Sequence, residues 1–305
     1  MRIGVDVGGT KIEAVALDSS DQVAARLRVP TPRGDYPATV EAVARIVHAI
    51  ELETGRQGSV GVGMPGSISP ATGLIKGSNS VWMTGHPFRD DLEAALGRPV
   101  RCANDANCLA ASEARDGAAA GAAVVFAAVL GTGCGGGLAI GGKVHEGRNT
   151  VAGEWGHNAL PLRQGAELET PPCFCDRSGC IETFLAGPAL EAEYSARTGH
   201  LIPAAAIAGL ATRGDAIAGA TLDTYEDRLA RALSLVINLI DPDVIVLGGG
   251  ISNIQHLYDT VPALLARYTF GGECRTPILR AVHGDSSGVR GAARLWPRSG
   301  SRPSD

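Results

Sequence analysis

Between Gly153 and Glu182 the chain reads GEWGHNALPLRQGAELETPPCFCDRSGCIE, a stretch dense in ligating side chains. Three of the seven cysteines, Cys173, Cys175 and Cys180, fall within eight positions, and His157 precedes them. One imidazole and three thiolates make a complete tetrahedral donor set for Zn2+, which leaves no open position for catalysis on the metal. The predicted role of the ion is therefore structural. Glu154 stands three residues before His157, and Glu182 two residues after Cys180. A metal knot here would pin both carboxylates and organise a polar pocket for a substrate rich in hydroxyls. Solvated surface glutamates beside three buried thiols are the plain alternative.

Asn104 and Asp105, in CANDANCLAASEA, stand just ahead of an alanine-rich helix. The position suits an N-cap. A carboxylate there also feels the positive end of the helix, which favours its ionised form, and an ionised Asp opening into a cleft is a usable base toward a hydroxyl. Asp6, Gly8, Gly9, Thr10 and Lys11 occupy the turn of DVGGTK. Glycines there let backbone N–H groups approach an anion, and Asp6 suits the water shell of Mg2+. Gly131, Thr132 and Gly133 open a second turn, GTGCGGG. Two such hairpins would clamp the β- and γ-phosphates of a nucleotide, and a third turn at Gly248, Gly249 and Gly250 admits a flat ligand such as adenine. Plain hairpin and strand-to-helix turns are the bland readings. GTGCGGG formally contains GxGxxG, but LAIGGKV after it alternates like a strand, so dinucleotide binding is the runner-up; a GxxxxGK[ST] segment is absent.

These residues need elements to hold them. RIGVDVGGTKIEAVALD from Arg2 and VVFAAVLGTGCGGGLAIGGKV from Val124 share one pattern of apolar run, glycine turn and apolar run, which predicts two β-hairpins, each opening a copy of a duplicated α/β unit. Expected boundaries are 1–117 for the first domain and 118–285 for the second, with the metal loop at 154–182. TLDTYEDRLARALSLVINLI puts Tyr225, Leu229, Leu233, Val236, Ile237 and Ile240 on one helical face. A last helix, about 286–297, is expected to pack back on the first domain, and the polar tail 298–305 to be disordered.

Composition bounds the rest. The 305 residues suffice for two domains. With 27 basic against 32 acidic side chains and no basic run, nucleic acid is not an expected partner. No apolar run has the length of a membrane helix and no leader pattern opens the chain, so the expectation is a soluble, cytoplasmic protein. In that compartment an odd number of cysteines argues for metal or catalysis over disulfides.

In order along the chain, DVGGTK, GMPGSI, NDANC, GTGCGGG, GEWGH, CFCDRSGCIE and VIVLGGG resemble the motifs of the ROK family (repressors, open reading frames and kinases) from Met1 to about Pro297. The resemblance implies an actin-like ATPase fold, of the ribonuclease H-like class, with two similar α/β domains around a cleft. It also implies ATP with Mg2+, and a hexose whose 6-hydroxyl attacks the γ-phosphate. Carried onto this chain it makes Asp105 the catalytic base and Asn104, Glu154, His157 and Glu182 sugar-binding residues, with Gly66, Ser67 and Asn79 near the sugar. His157 would then serve metal and sugar through one ring nitrogen each. Within the family, PTPRGDYPAT, AGEWGHNALP, FGGEC and HGDSSGVRGAARLWP look most like bacterial fructokinases, also called mannofructokinases, so fructose is the expected acceptor. N-acetylglucosamine, glucose and mannose are alternatives, and a non-catalytic sugar-sensing protein is the rival of another class. Repressors of the family carry an N-terminal helix-turn-helix, whereas this chain starts in its first strand. Relatives are often homodimers. Asp176 departs from the family's usual Gly after CxC, and the spacer 158–172 has no path that the sequence fixes.

Overall fold

The computed structural model describes residues 1–284 and 287–297. In chain order the strands and helices are β1 (Arg2–Val7), β2 (Lys11–Leu17), β3 (Val23–Pro30), α1 (Tyr36–Thr54), β4 (Ser59–Met64), β5 (Ser67–Ile68), β6 (Ile75–Lys76), α2 (Phe88–Leu96), β7 (Val100–Asn104), α3 (Asp105–Asp116), β8 (Val124–Leu130), β9 (Cys134–Ile140), β10 (Lys143–Val144), α4 (Glu182–Leu185), α5 (Gly187–Thr198), α6 (Ala204–Thr212), α7 (Ala216–Ile240), β11 (Val244–Gly248), α8 (His256–Leu265), β12 (Ile278–Arg280) and α9 (Ser287–Ala293).

The two expected hairpins form, β1 with β2 and β8 with β9, and each seeds a five-stranded sheet. The first sheet is ordered β3-β2-β1-β4-β7 and the second β10-β9-β8-β11-β12. In the first, β1 is antiparallel to β2 and parallel to β4, and β4 is parallel to β7. In the second, β8 is parallel to β11, and β11 to β12. One strand order used twice is the duplication that the repeated hairpin motif foreshadows. The inner strands are buried on both faces, which is why β1, β4, β8 and β11 read as nearly unbroken apolar runs.

Packing divides the chain into two compact units: residues 1–115, 137–152 and 287–297 in unit 1, and 116–136 and 153–284 in unit 2. The division differs from a single boundary at 117, because the chain passes back to unit 1 within β9 and stays there to residue 152. Unit 1 closes a core of Ile3, Val5, Ile12, Val43, Val47, Ile50, Val62, Phe88 and Leu92. Helix α1 begins at Asp35, whose carboxylate accepts from the Ala38 N–H, and ends at Gly55 with φ 63°. Unit 2 is built around α7, which brings Tyr225, Leu229, Leu233, Val236 and Ile237 against Phe126, Leu185 and Ile245, while Ile240 lies at its margin.

The expected last helix is α9, shorter than 286–297; the tail 298–305 lies outside the described residues. Helix α9 packs on β1, β2 and β4 through glycine notches. A Cβ on Gly4 would stand 2.0 Å from the Val289 carbonyl oxygen, and one on Gly61 would stand 1.9 Å from that of Ala292.

Candidate active site

Unit 1 holds Asp6, Gly8, Gly9, Thr10, Lys11, Gly66, Ser67, Asn79, Asn104 and Asp105. Unit 2 holds Gly131, Thr132, Gly133, Glu154, His157, Cys173, Cys175, Cys180, Glu182, Gly248, Gly249 and Gly250. Each group is therefore described within its own unit.

In unit 1, β7 ends at Asn104 and α3 starts at Asp105. The Asn104 Oδ1 accepts from the Ala106 N–H at 2.9 Å, which is the capping role, while its Nδ2 donates to the Gly66 carbonyl at 3.2 Å. One side chain thus ties the start of α3 to the GSI turn. Asp105 accepts from the Ala106 N–H at 2.8 Å through Oδ1. The residue keeps solvent-facing surface, yet its carboxyl is set among protein atoms, and the lost hydration raises its pKa above the ordinary 3.8 against the pull of the Ala106 N–H, its own N–H and the Asn104 amide. A carboxylate whose pKa is raised this way is a stronger base in its ionised form.

Gly66 has φ 75°, and a Cβ there would meet the Lys76 carbonyl oxygen at 2.5 Å, so glycine is required by both backbone and packing. Ser67 follows, buried in the β5/β6 hairpin, while Asn79 is exposed. Thr150, which sequence reasoning did not single out, places Oγ1 3.0 Å from the Ile68 carbonyl oxygen and 3.5 Å from Ser67 Oγ. It holds φ 51°, an uncommon conformation for a β-branched residue.

The glycine hairpins differ from ordinary turns. Neither Gly8 nor Gly9 in unit 1, and neither Gly131 nor Gly133 in unit 2, lies in the left-handed region. Around Gly9 the nearest atom to an added Cβ is 4.0 Å away, and around Gly131 there is none within 4 Å. Turn geometry leaves all four unforced, but packing does so only for Gly9 and Gly131, since a Cβ on Gly8 would meet the Lys11 carbonyl oxygen at 2.9 Å and one on Gly133 the Glu182 carboxylate at 2.7 Å. The open space at Gly9 and Gly131 is the fit expected of an anion cradle. Gly249 is different: φ 81° and the Leu130 carbonyl 2.3 Å from its virtual Cβ make it structural, whereas Gly250 beside it is open.

In unit 2 the four metal-type donors converge. Their ligand atoms all lie within 4.8 Å of one another. His157 Nδ1 is 3.6 Å from Cys173 Sγ, and Cys175 Sγ is 3.6 Å from Cys180 Sγ. A tetrahedron with metal–sulfur distances of about 2.3 Å and metal–nitrogen distances of about 2.0 Å has edges of roughly 3.5 to 3.8 Å, so the set fits zinc. Asp176 takes φ 64°, the left-handed turn at which Asp stands in for Gly. Glu154 precedes a 3₁₀ turn, Trp155–His157, that buries Trp155 edge-on against Phe126 and sends its indole N–H to the Gly135 carbonyl at 2.7 Å. Gly156 lies against the Cys134 carbonyl, 1.9 Å from where its Cβ would be. The spacing of GEWGH is thus dictated by packing.

The spacer 158–172 is held from behind. Gln164 and Glu167 form a capping box around a 3₁₀ turn, Gly165–Leu168. The buried Glu167 carboxylate receives Arg231 at 2.7 and 2.8 Å and Arg228 at 2.8 Å, both from α7. Burial alone would raise its pKa, but the two guanidinium groups and the Gln164 N–H hold it down at about 2. Arg231 also donates to the carbonyls of Pro161 and Leu162.

Residues 2–299 match the ROK family. The chain belongs to this family. Among ROK relatives it is 41% identical over 299 residues to the N-acetyl-D-glucosamine kinase of Photobacterium profundum, a match that covers 97% of this chain and 99% of that protein. Of solved structures, the ROK hexokinase from Thermus thermophilus superposes with a TM-score of 0.84 at 32% identity over 96% of both chains. A ROK family glucokinase from Streptomyces griseus, in complex with glucose and AMPPNP, gives 0.81 at 28% identity over 96% of this chain and 98% of that one. The expected family and actin-like α/β fold are therefore those of this protein. The finer expectation of a fructokinase is without support in these names, and the closely similar relatives of Vibrio cholerae and Yersinia pseudotuberculosis are also named N-acetyl-D-glucosamine kinases. Among the described residues no helix is long and apolar enough to cross a membrane.

Proposed function

We propose that this ROK protein is an ATP-dependent sugar kinase that phosphorylates the 6-hydroxyl of N-acetyl-D-glucosamine. The observation that carries the reading is the 41% identity to an N-acetyl-D-glucosamine kinase over 97% of the chain. It displaces fructose, which rested on local sequence resemblance, and leaves the chemistry expected from the residues unchanged.

Asp105 takes the proton of the 6-hydroxyl as that oxygen bonds to the γ-phosphorus and ADP leaves with the bridging oxygen's electrons. Its raised pKa suits this step, since a base with a pKa closer to that of the working solution accepts the proton more readily. Asn104, Glu154, His157 and Glu182 pair with sugar hydroxyls, and Gly66, Ser67 and Asn79 complete the surroundings of the sugar. His157 turns Nδ1 toward the thiols, which leaves Nε2 for the sugar. Gly8, Gly9, Thr10 and Lys11 in unit 1, and Gly131, Thr132 and Gly133 in unit 2, receive phosphate oxygens, while Gly248, Gly249 and Gly250 approach the adenine. Mg2+, held through the water shell at Asp6, supplies charge neutralisation of the phosphates. Cys173, Cys175, Cys180 and His157 hold structural zinc, which keeps the spacing of Glu154 and Glu182.

Incubation of the purified chain with N-acetyl-D-glucosamine and Mg·ATP, followed by phosphorus and proton NMR of the product, tests the reaction. One ADP per phosphosugar with phosphate on oxygen 6 is expected. Phosphate on another oxygen would overturn the regiochemistry, and binding of the sugar with no turnover would overturn the kinase reading in favour of a sugar sensor.

A further inference from the structure

The exit of the metal loop is fastened to the second glycine hairpin by two contacts inside unit 2. Two residues beyond Cys180, Glu182 turns its carboxylate back onto the hairpin, where Oε2 accepts from the Cys134 N–H at 2.9 Å. Its other oxygen lies 3.8 Å from the Cys173 thiol. Five residues further on, the Gly187 N–H donates to the Gly131 carbonyl at 2.7 Å. The fit around the carboxylate is tight: a Cβ on Gly133 would stand 2.7 Å from Glu182 Oε2. One carboxylate therefore spans a metal-ligand thiol and the turn Gly131–Gly133.

We propose that Glu182 is a positioning residue for the turn Gly131–Gly133, so that metal retention and nucleotide binding are coupled through it. The proposal rests on the reading that this turn receives phosphate. An amide N–H committed to Glu182 fixes the orientation of the peptide that follows Gly133, and with it the direction in which the neighbouring N–H groups point. The same carboxylate is oriented by the loop that His157 and the three cysteines close. Coupling of this kind is reciprocal: if the metal loop organises the turn for nucleotide, nucleotide must raise the affinity for the metal by the same free energy. A residue that held only sugar would show neither effect in the absence of sugar.

The test uses the full chain as purified with its zinc, and no sugar. Calorimetric binding of Mg·AMPPNP is compared for the wild type, Glu182→Ala, Glu182→Gln and Gly133→Ala, and zinc affinity is measured by equilibrium competition with a colorimetric chelator with and without the nucleotide. Loss of the carboxylate is expected to weaken nucleotide binding by about fivefold or more, the low end of ordinary site-to-site coupling. Glu182→Gln, whose amide oxygen still accepts from the Cys134 N–H, should recover part of the loss. Gly133→Ala, which displaces the carboxylate, should reproduce it and hold zinc more weakly. Nucleotide should raise the zinc affinity of the wild type by about fivefold or more. Normal nucleotide affinity in Glu182→Ala and Gly133→Ala, with zinc affinity indifferent to nucleotide, would overturn the coupling and leave the kinase reading standing. A wild-type chain that binds no nucleotide would overturn both.

Discussion

Asp105 meets two demands at one position. As the first residue of α3 it favours the helix start, and as a desolvated carboxylate it is a base with a raised pKa. Asn104 does the capping through Oδ1, so Asp105 is not needed as the cap. Asp105→Asn is therefore expected to fold normally and to lose about 10² to 10⁴ in kcat, with little change in ATP affinity, as steady-state and binding measurements would register. The pH profile follows from the sign of the shift. The base works when deprotonated and its pKa lies above 3.8, so the acid limb of kcat/KM should fall at a pH above that value and vanish from the residual activity of Asp105→Asn. A limb at or below 3.8 would assign the titration elsewhere. At this scale the sequence was informative: NDANC showed cap and carboxylate together. Thr150 was not legible, because its φ of 51° and its contact with the Ile68 carbonyl are set by a fold that brings together residues 82 positions apart.

The element least legible in the sequence was the spacer 158–172. QGAE carries a capping-box spacing, but nothing local indicates that Glu167 meets Arg231, which lies 64 positions away on α7. The pairing has a measurable consequence. Glu167 has a folded pKa of about 2 against an ordinary 4.5, a depressed carboxylate, so its contribution to stability is present above about 4.5 and is lost as pH falls through 2. The shift corresponds to about 3 kcal/mol. Glu167→Gln should lower stability at neutral pH by about 3 kcal/mol, since it removes the buried charge that Arg231 and Arg228 share and leaves Arg231 only Asp227 and Arg228 only Glu193. Its unfolding free energy should also depend less on pH between 4.5 and 2 than that of the wild type. Equal stability of the two proteins in denaturant at pH 7 would contradict this account. Helix α9 offers a second test, because its carbonyls sit where Gly4 and Gly61 lack side chains. Gly61→Ala should cost about 1 to 3 kcal/mol by overpacking, measured as a lowered unfolding midpoint.

For the whole molecule, the repeated hairpin pattern disclosed the duplicated sheet, since a glycine turn between apolar runs is a local signal. The division into units was less accessible. Residues 137–152 belong with unit 1 although they begin inside the second hairpin, and packing partners decide that, not composition. The convergence of His157 and the three cysteines was legible because these donors are near one another in sequence, and it yields a prediction for the intact chain. Freshly purified protein should contain one zinc per chain, and its removal should weaken sugar binding, with nucleotide binding following through Glu182. Elemental analysis showing far less than one zinc with full activity would contradict this. Sugar identity was the poorest inference from sequence, because carboxylates, an imidazole and an amide pair with the hydroxyls of any hexose. An acetamido group at carbon 2 asks for room and a donor–acceptor match that such a list does not reveal. The decisive measurement is therefore kcat/KM for N-acetyl-D-glucosamine, glucose, mannose and fructose in one coupled ADP assay at matched concentrations. The account predicts N-acetyl-D-glucosamine ahead of the others by about tenfold or more; a higher value for fructose or glucose would contradict it.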